Sequence, residues 1–179
     1  LRQIDKAVET WGTQLKAVHT WGTALLPQVP LDDKKMYPIY AKCVEAGLPI
    51  VVYAGVPGPR LPMSAQLPIQ LDEVCWFFPE LTVVMRHGAD PWTELAVKLM
   101  LKWPNLYYST SAFAPKHYPE PIIRHANSRG ADKVIYAGYF PAGLTYERIM
   151  SELPNVPFKD EVWPKFLRHN AAKVLGLDA

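Results

Sequence analysis

The chain has 179 residues, 49% hydrophobic and 20% charged, enough apolar material for a core and too little charge bias for disorder. Its 19 basic and 17 acidic residues leave a net charge of +2 with no cluster of either sign, which removes the electrostatic case for nucleic acid or an anionic membrane surface. No apolar run of about 18 residues spans a bilayer and no basic-then-apolar leader opens the chain, so a cytoplasmic protein is expected.

The opening segment, LRQIDKAVETWG, spaces Leu1, Ile4, Val8 and Trp11 at helical intervals and closes on Gly12, which predicts a helix. A chain that opens on a helix with Leu1 in place of Met suggests truncation, cleavage or a preceding part. Strand candidates follow at residues 14–20, 48–55, 81–87, 105–111 and 132–138, each short and rich in branched or aromatic side chains. Between them lie helical stripes: Tyr37, Tyr40, Ala41 and Val44 before Gly47; Leu71, Val74, Cys75 and Phe78 before Pro79; Trp92, Leu95 and Leu99 before Pro104. The two cysteines, Cys43 and Cys75, sit on these stripes and read as reduced, apolar thiols.

Strand and helix in alternation predict parallel strands joined by helical crossovers. An open doubly wound sheet and a (β/α) barrel both fit, but no glycine-rich phosphate fingerprint follows any strand. Five strands are too few to close an eight-stranded barrel of about 250 residues. A partial barrel leaves exposed edges, so a missing amino-terminal segment or a second chain completing it, and an oligomer, are expected.

Ligands of parallel βα folds sit beyond the carboxyl ends of the strands. Those ends carry His19, Thr20 and Trp21; Tyr53 and the loop AGVPGPRLP; Arg86, His87 and Asp90; Ser109 and Ser111; Tyr136 and Tyr139.

The segments AGLPIVVYAG, LDEVCWFFPELTVVMRHGADPW, WPNLYYSTSAF, GADKVIYAGYFP and FLRHNAAKVLGL, spread over residues 37–177, resemble the amidohydrolase-related family. The branch in question includes the aminocarboxymuconate-semialdehyde decarboxylase-like metal-dependent hydrolases. The resemblance implies a partial (β/α)8 TIM-type barrel, an α/β fold of about five βα units corresponding to strands four to eight. Residues 1–179 would then be a single domain, the carboxyl-terminal portion of a larger barrel. It implies hydrolysis or decarboxylation of a small, carboxylated or aromatic substrate, assisted by a divalent metal such as zinc or manganese. His87, in RHGADPW, matches the sixth-strand histidine of that family and is the metal-ligand and acid–base candidate. Tyr53 or Ala54 stands where the fifth-strand histidine often does, and Tyr139 replaces the eighth-strand aspartate, so the metal site is expected to be degenerate.

Each candidate has a plainer reading. His87 could be a strand-end histidine bonded to a loop. Asp90, just before Pro91, reads as a helix cap rather than a partner of His87. His19 has a pocket position and is a second catalytic candidate without a firm family match. Arg86 should face away from His87, because strand side chains alternate. Arg60 is the candidate for a substrate carboxylate, or a solvated loop arginine; Tyr53, Ser109 and Tyr139 would shape the pocket. His117 and His125 are expected at the surface, His169 and Asn170 at a helix cap, and Trp11, Trp92 and the strand tyrosines in the core. Against the enzyme stands a second reading: a binding or assembly subunit that kept the barrel and lost the metal.

Overall fold

In the computed structural model, which describes residues 1–20 and 22–177, helices and short strands alternate along the chain. The order is α1 (Arg2–Trp11), β1 (Val18–His19), α2 (Tyr37–Glu45), β2 (Ile50–Tyr53), α3 (Leu71–Phe77), β3 (Val83–Arg86), α4 (Thr93–Lys102), β4 (Leu106–Ser109), α5 (Glu120–Ala126), β5 (Val134–Ile135), α6 (Tyr146–Glu152) and α7 (Asn170–Leu175). All five expected strands are present, each shorter than the apolar run that announced it. Of residues 14–20, only Val18 and His19 pair, because Gly12–Gln14 closes α1 as a 3-10 turn. Trp21 lies outside the described residues.

The sheet is parallel throughout, and its order β1-β2-β3-β4-β5 follows the chain. A doubly wound sheet reverses its order at a switch point; winding without reversal is how a barrel is built. Alternation across each strand sends Ile50, Val52, Val83, Met85, Leu106, Tyr108 and Val134 into a core shared with the helices. Tyr40 and Cys43 of α2, Val74 and Cys75 of α3, Leu99 of α4 and Ile122 of α5 meet them there. Both thiols are buried, and burial pushes Cys43 up to about 11 and Cys75 up to about 12. The opposite face carries Val84, Tyr107 and Ile135 with Val51 against them. His19 pairs with Val51 and Tyr53 with Arg86, so these polar residues continue that second face towards the strand ends.

Several expectations are corrected. Trp11 is exposed, because α1 buries no residue and lies on the surface, tied by Asp5 to Lys42 at 2.9 Å. His125 is buried in α5: its ring lies over Gly130, where an added Cβ would stand 2.1 Å from it. Burial first, and then Lys133, lowers its pKa. His169 and Asn170 cap nothing, since a π-helical turn, Lys165–His169, runs directly into α7. That turn lets the Phe166 carbonyl accept from the Tyr136 N–H at 2.9 Å. The buried Asn170 amide donates to the Ala131 and Val134 carbonyls, each at 2.8 Å, and so fastens the helix to β5.

Replacing Asn170 with alanine strands both carbonyls, one of them in a fully buried bond. The expected loss of stability is about 1–3 kcal/mol, read from the denaturant midpoint of Asn170→Ala against wild type. An unchanged midpoint would mean that the clamp contributes nothing.

Candidate functional site

The site is built on the turn that ends β3. His87, Gly88 and Ala89 have φ of 63°, 84° and 51°, and left-handed backbone is disfavoured for the two non-glycine residues. Packing and hydrogen bonds hold it. The Tyr108 hydroxyl, buried in the core, donates to the Gly88 carbonyl at 3.0 Å. Ser111 Oγ accepts from the His87 N–H at 3.2 Å. Phe113 lies so close to Gly88 that an added Cβ would stand 2.3 Å from its ring. On the other side, the Val56 N–H donates to the Asp90 carbonyl at 2.8 Å, and Gly55 lies so close that a Cβ there would meet the Asp90 amide nitrogen at 2.8 Å. Asp90 is therefore no helix cap: the turn delays α4 to Thr93, with Trp92 at its N-cap.

The left-handed turn also overturns the expected alternation. His87 is rotated back over the sheet end, so its ring meets Tyr53 edge-on at 4.4 Å while Arg86 lies over that same tyrosine, 4.4 Å from its centroid. Arg86 Nη1 faces the His19 ring, 3.2 Å from Nδ1, and His19 lies 6.3 Å from Tyr53. Tyr139 completes the row, edge-on to His87 at 5.5 Å. His19, Tyr53, Arg86, His87 and Tyr139 thus form one continuous cluster. Ser109 is buried on β4, and Arg60 is exposed on its loop between Pro59 and Leu61, which themselves line the cavity.

That cavity, about 350 Å³, opens between the segments after β1, β2, β3, β4 and β5. Its walls are mostly apolar, with Leu25, Val56 and Phe113 facing Tyr53, His87 and Tyr139. Its shape depends on Gln66, a buried residue the sequence did not single out. The Gln66 amide donates to the Gly55 carbonyl at 2.9 Å and its oxygen accepts from the Ala24 N–H at 3.3 Å, locking two loops together. Thr23, also buried, donates to the Ala65 carbonyl beside it. A glutamine in a loop carries no sequence signal for such a role; Ser111, at a strand end, was at least in the right place.

His87 Nδ1 lies 3.1 Å from Ser111 Oγ, while its Nε2 is buried without a hydrogen-bond partner. Burial, reinforced by the Arg86 guanidinium, pushes the imidazole down to about 4; a hydrogen bond to the Ser111 main chain works the other way. The same two causes, burial and then Arg86, lower His19. The His87 ring is neutral at pH 7.

The residues present do not by themselves fit a divalent metal. Among the described residues, no three His, Cys, Asp or Glu side chains gather as a ligand set, whereas zinc sites take three or four protein ligands. His87 Nε2 is a single open nitrogen, and at the position of the resembled aspartate the phenol ring of Tyr139 packs against it.

A family model described as Amidohydrolase matches residues 12–177. No curated protein matches the chain. Among solved structures, an uncharacterized TIM-barrel protein from Bordetella bronchiseptica is similar at 27% identity and TM-score 0.81, over 98% of this chain and 61% of that one. A 5-carboxyvanillate decarboxylase from Sphingomonas paucimobilis is similar at 14% identity and TM-score 0.71, over 99% and 62%. A dihydroxybenzoic acid decarboxylase from Polaromonas, solved with manganese and 2-nitroresorcinol, is similar at 13% and 0.69, over 98% and 64%. The chain thus spans about three fifths of each, and the two decarboxylases bear on the fold alone. No helix among the described residues is long and apolar enough to cross a membrane.

The lowered His87 pKa makes stability depend on pH. Above the ordinary imidazole value of 6.5 the contribution is fully present. Below it only the unfolded chain takes up the proton, so stability falls until the folded protein protonates too, near 4. Denaturant midpoints of wild type should drop across that window, and those of His87→Gln should drop less. Parallel pH profiles would mean that His87 titrates normally in the folded state.

Proposed function

The chain belongs to the amidohydrolase family, and on that premise we propose that it is the strand-four-to-eight portion of a barrel enzyme that decarboxylates or hydrolyses a small aromatic carboxylate. The remaining strands would come from another segment of the protein or from a partner chain. Supporting this are the match over residues 12–177, the unreversed strand order, and the three-fifths span of the barrel proteins it resembles.

One observation carries the reading: a neutral imidazole nitrogen, buried and unpartnered, borders an apolar cavity large enough for one aromatic ring. The ring of the substrate would sit among Leu25, Val56 and Phe113. His87 Nε2 would accept a proton from a water or from a phenolic hydroxyl, the task of a base that is uncharged at pH 7. Arg86, which lies over Tyr53 of the cavity wall, joins Arg60 as a candidate to meet a carboxylate, since a guanidinium offers a planar fork. Tyr139 closes the pocket and supplies a hydroxyl. No step is assigned to a metal, for which the residues present supply one imidazole.

The second reading, a binding subunit without turnover, draws on Tyr139 standing in place of the resembled aspartate. Assays of the complete protein against a panel of hydroxybenzoates and aromatic esters separate the two. The enzyme predicts turnover that falls by about 10²–10⁴-fold in His87→Gln, the usual contribution of a general base, with Arg86→Met acting mainly on KM for carboxylated substrates. Saturable binding without turnover would favour the subunit; neither binding nor turnover would remove both.

A further inference from the structure

Ser111 is placed to decide what His87 can do. Its hydroxyl oxygen stands between two nitrogens of the same residue, accepting from the His87 N–H at 3.2 Å and lying 3.1 Å from Nδ1. Ser111 is itself buried, and Ala112 immediately after it has a φ of 76°, so the hydroxyl is fixed by a bent, enclosed backbone. A neutral imidazole carries its proton on one nitrogen only, and the two choices are not equivalent here. With the proton on Nε2, a buried N–H fixed by the ring plane would point at the cavity with no acceptor; with the proton on Nδ1, the donor left to be placed is the Ser111 hydroxyl, whose proton rotates to another acceptor where a ring N–H cannot. A hydroxyl oxygen has two acceptor lone pairs, enough for both N–H groups.

We propose that Ser111 is a positioning residue that holds the proton of His87 on Nδ1 and thereby presents Nε2 to the cavity as a lone pair. Ser111 would thus make His87 a proton acceptor in the pocket rather than a donor. The use of that lone pair rests on the proposed function; the tautomer does not.

The experiment is ¹⁵N NMR of the full, chelator-treated protein carrying ¹⁵N-histidine, at neutral pH, with His87→Gln assigning its signals among the five histidines. The expected spectrum has a pyridine-type Nε2 and a pyrrole-type Nδ1. In Ser111→Ala the two should move towards averaged shifts as the other tautomer becomes populated, while Ser111→Thr, which keeps the hydroxyl, restores the wild-type pattern. A pyrrole-type Nε2 in wild type, or a Ser111→Ala spectrum identical to wild type, overturns the assignment. Should Ser111→Ala fail to fold, the wild-type spectrum alone supports it by Nδ1–H or overturns it by Nε2–H. Because the spectrum is read without substrate, absent turnover with the expected tautomer counts against the proposed reaction only.

Discussion

Everything distinctive about this site hangs on a left-handed turn of His87, Gly88 and Ala89 at the end of β3. Left to itself such a turn is strained, and strained backbone persists only where its surroundings over-determine it. Here the surroundings are specific: a core tyrosine bonded to Gly88, a serine bonded to His87, a phenylalanine filling the space a side chain at Gly88 would need, and the β2 loop bonded to Asp90. The turn brings Arg86 and His87, neighbours that alternation would send to opposite faces, onto the same tyrosine.

From that follows the electrostatic character of the site. The imidazole is enclosed, lies near a guanidinium, and is kept neutral by both. Arg86 in turn faces an aromatic ring and a second imidazole whose pKa is lowered. The cavity walls depend less on the strands than on Gln66 and Thr23, which stitch the loops after β1 and β2 into a fixed rim.

The sequence revealed the scaffold more readily than the site. Branched and aromatic runs located all five strands, and proline and glycine stops located α1 to α4, because these features act locally. The strand-end rule located His19, Tyr53, His87 and Tyr139, whose rings do meet. What failed was what depends on backbone geometry at a distance. A positive φ at a histidine has no signature in the letters, so alternation points Arg86 away from His87 and the Asp90-Pro91 pair reads as a helix cap, where the structure has Arg86 and His87 on one tyrosine and Trp92 at the N-cap. A polar histidine reads as a surface residue and Asn170 as a helix cap; the close approach of Gly130 and the carbonyls of Ala131 and Val134 draw them in.

The most direct test of this account is the pKa of His87, measured by NMR titration of the metal-free protein. An imidazole held by the turn in an enclosed site beside Arg86 should stay neutral far into the acid range and titrate near 4. In urea the same ring should return to about 6.5. A folded-state value near 6.5 would contradict the account: it would mean that His87 faces solvent, that the left-handed turn does not deliver it to the cavity, and that the site must be sought elsewhere.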